Sequence, residues 1–310
     1  MADEINELLK ERAEKNARLK LIPYDGSLEI KELNGKKYIY IRKKILGKNK
    51  STYLNVYSDE IFASISTLLM DAKKLKKEIR KIEKRLHALG YSDIELSSDV
   101  LFNIDFARSN MKECIYDQAI LEGIATTFPD TETIIDNGVV NNMKSNDVQK
   151  ILNLKHAWEF IMDYDVLSSK SDIHLLSHIA GLVNEGFFYH GDRLRTMPVT
   201  IGGTDYIPPI PRELEITDTF RNIIESKKNA IDVAIDLCLY TMKAQPFNDG
   251  NKRTAVIFAN HYLISKADGL LVIPEAHVKE FKKLLVSYYE GKNEVRIKNF
   301  MKENCWKKMK

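Results

Sequence analysis

A short loop ahead of a helix, residues 244–254, constrains this chain more than any other stretch. Its sequence is Ala-Gln-Pro-Phe-Asn-Asp-Gly-Asn-Lys-Arg-Thr, and the helical run 255–264 follows at once. Pro246 and Phe247 are expected to anchor the loop in a core. Gly250 permits a positive φ and a close approach to a ligand, and the first N–H groups of a helix lack partners inside it. The stretch therefore predicts a loop that opens a helix and binds an anion there.

Charged residues indicate which anion this loop binds. Lys252 and Arg253 place two cations at the helix N-terminus, which favours phosphate. Asp249 is an oxygen ligand of the type that Mg²⁺ takes beside phosphate groups. An ordinary surface turn is the alternative, because Asn-Asp-Gly is also a common turn sequence.

The loop resembles the signature of the Fic/Doc (fido) family, His-Pro-Phe-x-Asp-Gly-Asn-Gly/Lys-Arg. It departs from that signature at Gln245, where the family has histidine, and at Val256, where many adenylylating members have a second arginine. The resemblance extends over roughly residues 110–300, within normal domain size. It implies an all-helical core with a β-hairpin flap, which binds ATP with Mg²⁺ and transfers AMP or phosphate to a hydroxyl of an unidentified target protein.

The resemblance also implies roles for individual residues. Asp249 would hold the metal, and Gln245, Asp249 and Arg253 would form the catalytic group. The phosphates would be held by Gly250, Asn251, Lys252 and Arg253. The family's histidine takes the proton from the hydroxyl, a role worth about 10²–10⁴ in rate, whereas an amide can only position that hydroxyl. The favoured function is a protein AMP transferase or Doc-like kinase weakened by Gln245, and the alternative is an inactive nucleotide sensor that acts through protein or nucleic-acid contacts of its basic N-terminal domain.

A second segment, residues 118–124, resembles the inhibitory helix of the family, Ser/Thr-x-x-x-Glu-Gly. Gln118 stands at the serine position, and Glu122 is the glutamate. In the family this glutamate pairs with the second arginine of the signature, but here that position is Val256. We therefore expect Glu122 to mark the inhibitory position without the complete mechanism. An ordinary helix carboxylate is the equally weighted alternative.

A third segment, residues 195–211, is the one region of the C-terminal part whose pattern suggests strands. Val199 and Ile201 alternate with polar residues, and Gly202-Gly203 follows, which predicts a hairpin, although prolines exclude a central strand. The segment resembles the Fic flap, in which Val199, Thr200, Ile201 and Gly202 would dock a target segment by strand addition. A plain surface hairpin is the alternative.

The N-terminal region has a different pattern. Asn34-Gly35 between the runs 27–33 and 36–44 is a strong hairpin signal, and a third run, residues 50–57, follows Gly47. These runs predict a small antiparallel sheet behind a short first helix. Its tyrosines could stack on nucleic-acid bases, but we favour the interpretation that they form the core of the sheet.

A long helix is predicted after the sheet. Ser58 caps it, and its apolar residues recur in heptads from Ile61 to Leu89, with Gly90 ending it. Such a seam must pack on another helix, either within the chain or in a homodimer. The domains are therefore predicted as residues 1–57 (helix and sheet), 58–95 (long helix and linker) and 96–310 (Fic domain), and the fold as mainly α.

Composition bounds the location and partners. The chain has 44% hydrophobic and 29% charged residues, three widely spaced cysteines and no apolar run of membrane-spanning length, and its first 20 residues are charged. We expect a cytoplasmic protein without a signal peptide or anchor. Residues 1–90 hold 21 basic and 13 acidic residues, a balance of +8, which leaves −5 for residues 91–310. A solvated basic face is the favoured explanation, and nucleic-acid binding through residues 36–50 and 73–85 is the less favoured one.

Overall fold

The computed structural model describes residues 2–45, 48–92, 95–137 and 143–309. It divides into two compact units, Met1–Asp93 and Ile94–Lys310. The first unit combines two helices with a sheet, and the second is mainly helical. Residues 93 and 94, next to the predicted end of the linker, lie outside the described residues.

The first unit contains the predicted antiparallel sheet. Its elements are α1 (Ala2–Leu21), β1 (Ser27–Leu33), β2 (Lys36–Ile45), β3 (Lys48–Val56) and α2 (Asp59–Ala88). The strands lie in the order β1-β2-β3. Asn34 and Gly35 have φ values of 52° and 72°, as a two-residue type I′ turn requires, so the predicted hairpin is confirmed. The predicted turn at Gly47 lies outside the described residues.

The two faces of this sheet differ in burial. Ile39 is fully buried on one face. Tyr38 and Tyr40, its neighbours in β2, alternate to the other face, where both rings contact that of Tyr53. Tyr53 is 51% exposed. The interpretation that the tyrosines form the core of the sheet is therefore wrong, because strand alternation places them on the face opposite the buried Ile39.

The heptad seam of α2 has a helical partner within the chain. Ser58 Oγ accepts a hydrogen bond from Ile61 N (3.2 Å), as expected of the N-cap. Helix α1 packs against α2 and buries Ala13 and Ala17. The buried seam positions of α2 are Ile65, Ala72, Ile79, Ile82 and Leu86. The intrachain alternative thus accounts for the seam, and a homodimer through α2 stays a prediction.

Helices make up most of the second unit. They are α3 (Ser98–Leu121), α4 (Phe128–Asn137), α5 (Ser145–Ile161), α6 (Tyr164–Leu167), α7 (Ile173–Val183), α8 (Glu213–Ile224), α9 (Ala230–Ala244), α10 (Asn251–Ser265), α11 (Val278–Tyr289) and α12 (Glu294–Asn304). Two strands of two residues each, β4 (Leu270–Leu271) and β5 (Trp306–Lys307), pair antiparallel. The sequence does not predict these strands, because two residues are too few to show alternation.

Helix α10 is the central helix of the second unit. Residues 253–264 are all buried, and α3, α5, α7 and α9 pack around them. A helix that is buried all round must be enclosed by others. Its polar residues have partners: Asn260 Nδ2 donates to Leu271 O (2.8 Å), and Leu271 N donates to Asn260 Oδ1 (2.9 Å). The loop before α10 is therefore joined directly to a helix at the centre of the core.

The cysteines and the helices agree with the composition. Cys114, Cys238 and Cys305 are free and buried, and burial raises the pKa of the Cys305 thiol to about 12. Within the ranges that the structure describes, no helix is both long and apolar enough to cross a membrane.

Candidate functional site

The loop between α9 and α10 has two residues in the left-handed region. Gln245 (φ 46°) ends α9 and Gly250 (φ 71°) precedes α10. A Cβ atom on Gly250 would lie 2.7 Å from Asn184 Oδ1 and 2.9 Å from Val183 Cγ1. Both the conformation and the space therefore require glycine at this position. Phe247 is 1% exposed and anchors the loop in the core, as predicted.

Asn251 holds the loop in shape. Its Oδ1 accepts a hydrogen bond from Phe247 N (2.9 Å), and its Nδ2 donates to Phe247 O (2.7 Å). The same Nδ2 lies 3.0 Å from Gln245 Oε1. Asn251 is 5% exposed, so its side chain supports the loop from inside, whereas the resemblance implies a phosphate ligand.

The side-chain amide of Gln245 is engaged at both ends. Nε2 donates to Met242 O (2.6 Å), in the last turn of α9, and Oε1 accepts from Asn251 Nδ2 (3.0 Å). These bonds fold the amide back against α9. An amide has no nitrogen lone pair that accepts a proton at neutral pH, and this one already serves the loop.

Two cations and two carboxylates meet at the start of α10. Arg253 is 1% exposed, and its Nη1 donates to Val183 O (3.2 Å) while its Nη2 donates to Asp249 Oδ2 (3.3 Å). The Lys252 side chain is 33% exposed, and its Nζ lies 3.6 Å from Glu122 Oε1. Lys252 is therefore the accessible cation of the pair, and Arg253 is the buried one.

Glu122, at the C-terminal end of α3, supplies the counter-charge. Its Oε2 lies 3.6 Å from Arg253 Nε, its side chain is 14% exposed, and Oε1 has no hydrogen-bond partner among the described residues. The structure thus places Glu122 beside the signature loop, as the resemblance implies. Its charged partners are Arg253 and Lys252. At the family's second-arginine position the chain has Val256, which is buried in the core and carries no charge.

Gln118 sets the position of Glu122, one helical turn further along α3. The Gln118 side chain is buried; its Nε2 donates to Arg253 O (3.0 Å) and its Oε1 accepts from Trp158 Nε1 (2.9 Å). These two bonds connect α3 with α10 and α5. The sequence presents Gln118 only as a departure from serine, and gives no sign of this structural role.

Arg195 is a site residue that the sequence analysis missed. It is 1% exposed, and it donates five hydrogen bonds to main-chain carbonyls. Nε donates to Gln245 O (2.6 Å), Nη1 to Met197 O (2.8 Å), and Nη2 to Pro208 O (3.2 Å), Pro209 O (2.6 Å) and Ala244 O (3.4 Å). Burial lowers the pKa of the guanidinium. The side chain thus joins the signature loop to both ends of the segment 195–211.

The segment 195–211 corrects the predicted flap. Residues 202–203 form a turn, as expected, but all of residues 195–211 are described and none is in a strand. The physical reason is that four prolines lack the N–H that a ladder needs, and Arg195 takes carbonyls that a ladder would use. Val199 and Ile201 are half-buried, while Thr200 and Gly202 are exposed. Their role in docking a target stays a prediction.

A metal could be held here only together with phosphate. The Asp249 side chain is 50% exposed, and its main-chain carbonyl accepts a hydrogen bond from Asn184 Nδ2 (3.1 Å). The described part of the chain contains no group of three or more His, Cys, Asp or Glu residues that could hold a metal ion. One accessible carboxylate fits Mg²⁺, because this ion takes one or two carboxylates and completes its shell with phosphate and water.

Comparisons with known protein families give two matches. Residues 170–263 match the Fic/DOC family, and residues 2–63 match a domain of unknown function, DUF6788. A comparison with curated proteins found no match. The Fic/DOC match includes the loop, Arg195 and α10 as far as residue 263, but it does not reach Glu122.

Solved structures with a similar fold cover more of the chain. Fic-1 (residues 134–508) from C. elegans has a TM-score of 0.54 at 17% identity, over 79% of this chain and 74% of that chain. A Fic domain containing signaling protein from Bacteroides thetaiotaomicron has a TM-score of 0.55 at 16% identity, over 71% and 91%. A Fic family protein from Desulfovibrio desulfuricans has a TM-score of 0.52 at 13% identity, over 68% and 74%. These identities show the fold alone, and they confirm the predicted helical core.

Proposed function

We propose, from the match of residues 170–263 to the Fic/DOC family, that the loop 245–253 binds the phosphates of ATP together with Mg²⁺ and lacks the base of a transferase. Fic domains in general transfer nucleotide or phosphate groups to proteins. The domain would bind ATP without transferring AMP or phosphate to a protein. The domain then acts as a nucleotide sensor.

The geometry of Gln245 carries this proposal. Its Nε2 donates to Met242 O and its Oε1 accepts from Asn251, so the side chain is fixed in place and cannot take a proton. Loss of a general base costs about 10²–10⁴ in rate. A target hydroxyl at this loop would have to lose its proton to water or to phosphate oxygens, which is slow.

The phosphate contacts come from the start of α10. The N–H groups of the first helical turn have no partners within the helix, and the helix dipole favours an anion there. Gly250 allows the backbone to come close, and Lys252 adds an accessible charge. Asp249 would hold Mg²⁺, which neutralises phosphate charge when bound. Arg253 contributes only through its positive charge, since its hydrogen bonds to Val183 and Asp249 are made within the protein.

Glu122 competes with the nucleotide. Its carboxylate lies 3.6 Å from both Lys252 Nζ and Arg253 Nε, and phosphate would need the same cations. Nucleotide binding therefore includes the cost of separating Glu122 from Lys252. Removing the charge with Glu122→Gln should tighten ATP binding by about 5- to 150-fold, the usual range for coupled sites.

Calorimetric titration with Mg·ATP tests the binding half of the proposal. Wild type is expected to bind, Glu122→Gln to bind more tightly, and Lys252→Ala to bind more weakly. Lys282→Ala, which removes an exposed lysine of α11, is the matched control and should bind like wild type. Equal affinities for wild type and Lys252→Ala would show that the nucleotide does not use this loop.

Intact-mass measurement after incubation with Mg·ATP tests the catalytic half. Wild type should gain no mass, with or without a lysate that supplies targets, and labelling should not appear on other proteins. Gln245→His restores the missing side chain and is the positive comparison. If wild type transfers AMP or phosphate, Gln245 supports chemistry and the weakened-transferase alternative is correct; the mass gained then identifies the group.

A further inference from the structure

The sheet of the first unit presents an aromatic surface, here called the tyrosine face, formed by Tyr38, Tyr40 and Tyr53. Tyr53 lies opposite Tyr40 in the strand register, and its ring centroid is 5.8 Å from that of Tyr40 and 6.1 Å from that of Tyr38, both edge-on. Tyr53 is 51% exposed. The Tyr53 side chain is thus accessible to a planar partner.

Positive charge surrounds these rings. Residues 27–56 hold 8 basic and 2 acidic residues, a balance of +6. Register and alternation place four of the basic residues on the tyrosine face: Lys31, Lys36, Arg42 and Lys44. Glu29, which shares this face, is already neutralised: its carboxylate accepts from Ser51 Oγ (2.7 Å) and pairs with Lys31 (3.6 Å). Lys31 Nζ also lies 4.7 Å from the Tyr40 ring centroid.

We propose that the tyrosine face binds single-stranded nucleic acid. Unpaired bases stack on aromatic rings that a sheet presents, and their phosphates pair with nearby cations. A duplex hides the faces of its bases, so it could use the cations but not the rings. An acidic peptide could likewise use only the cations. The combination of the exposed Tyr53 ring with Lys36, Arg42 and Lys44 on the same face therefore favours a single strand over both.

Fluorescence anisotropy of the full chain tests this proposal. The probes are labelled strands of about 12 nucleotides, oligo-U and oligo-dT, and a duplex of the same length. Both single strands should bind more tightly than the duplex, and comparison of the two shows whether the partner is RNA or DNA. If three or four phosphates are neutralised, affinity should fall about 20- to 50-fold between 50 and 200 mM salt.

Matched variants separate stacking from charge. Tyr53→Ala should weaken binding about 5- to 100-fold, whereas Tyr53→Phe keeps the ring and should bind like wild type. Tyr164→Ala, in the second unit, removes a tyrosine of similar exposure (49%) and should change nothing. Lys44→Glu should weaken binding more than Lys37→Glu, because Lys37 lies on the opposite face of the same strand.

Several outcomes would overturn the proposal. These are no binding at the lower salt, equal affinity for single strand and duplex, no loss with Tyr53→Ala, or full competition by poly-glutamate at equal charge. A thermal melt of each variant verifies that it is folded, and if Tyr53→Ala is not, the comparison of Lys44→Glu with Lys37→Glu and that of single strand with duplex still decide the question.

Discussion

Arg195 is expected to stabilise the signature loop more than any exposed residue near it. Its guanidinium reaches carbonyls on two separate pieces of chain, Ala244 and Gln245 at the end of α9 and residues 197, 208 and 209 of the segment 195–211. Replacement by alanine removes all five bonds and leaves carbonyls without their donor. The prediction is that Arg195→Ala both destabilises the second unit and releases the segment 195–211.

The geometry gives the magnitude. Three of the five bonds are 2.8 Å or shorter, and a hydrogen bond from a charged donor contributes about 1.5–3 kcal/mol when its partner is a polar group. Water can reach some of the carbonyls after truncation, so we count about 1–1.5 kcal/mol for each short bond and expect a loss of about 3–5 kcal/mol. Arg195→Lys keeps one charge without the planar fork and should lose about half as much.

Urea unfolding followed by tryptophan fluorescence measures this loss, because the fully buried Trp158 and also Trp306 lie in the second unit. Arg193→Ala is the matched control, because Arg193 is exposed two residues earlier and should cost at most about 0.5 kcal/mol. Trypsin cleavage at Arg212 should accelerate only in the Arg195 variants. If Arg195→Ala and Arg193→Ala unfold at the same urea concentration, the idea that Arg195 joins the two pieces of chain is refuted.

Three further perturbations follow from the same packing. Gly250→Ala should cost about 1–3 kcal/mol in urea unfolding, because its Cβ would lie 2.7 Å from Asn184 Oδ1 at a φ of 71°; an unchanged midpoint would mean that the loop relaxes freely. Burial lowers the pKa of His261 to about 4, so its contribution to the free energy of unfolding is complete above about pH 6.5. As the pH falls toward 4 this contribution is lost, up to about 3 kcal/mol. His261→Asn should reduce this fall in stability when unfolding is measured as a function of pH. Gln118→Ala leaves Trp158 Nε1 without its partner and should cost about 1–3 kcal/mol and shift the tryptophan emission, whereas an emission spectrum like that of wild type would contradict the contact.

Much of the fold follows from local sequence. Asn34-Gly35 predicts the hairpin because few residues adopt positive φ at both turn positions, and the heptads of α2 predict a packed seam because their period matches the helix. Alternation alone does not predict that the tyrosines lie opposite the buried face, because it identifies two faces but not which of them is buried. The alternation in residues 195–211 predicts a hairpin because it shows only which side chains share a face. It does not show that the Arg195 side chain takes the main-chain carbonyls that paired strands would use.

The site is predicted less completely than the fold, and for one reason. A motif shows which residues are near each other in the chain, but Glu122 and Arg195 reach the loop across 131 and 50 residues, from Glu122 to Arg253 and from Arg195 to Gln245. Glu122 was found through a second motif. Arg195 was missed, since an arginine in a proline-rich segment usually indicates an exposed charge, and nothing local indicates that it is buried.

The residues that match the signature do not all carry the same information about function. Phe247, Asn251 and Arg253 are buried and bonded within the protein, so the loop needs them in order to fold, whether or not it binds a nucleotide. Gln245 has replaced the one residue whose family role is proton transfer, and its amide is used to close the loop. Lys252 differs from all of these, because it is partly exposed and its side chain contacts Glu122 rather than the loop. A loop kept only as a structural element would tolerate Lys252→Ala in every assay, whereas a nucleotide-binding loop would keep its stability and lose affinity, so this one side chain separates the two functions of the loop.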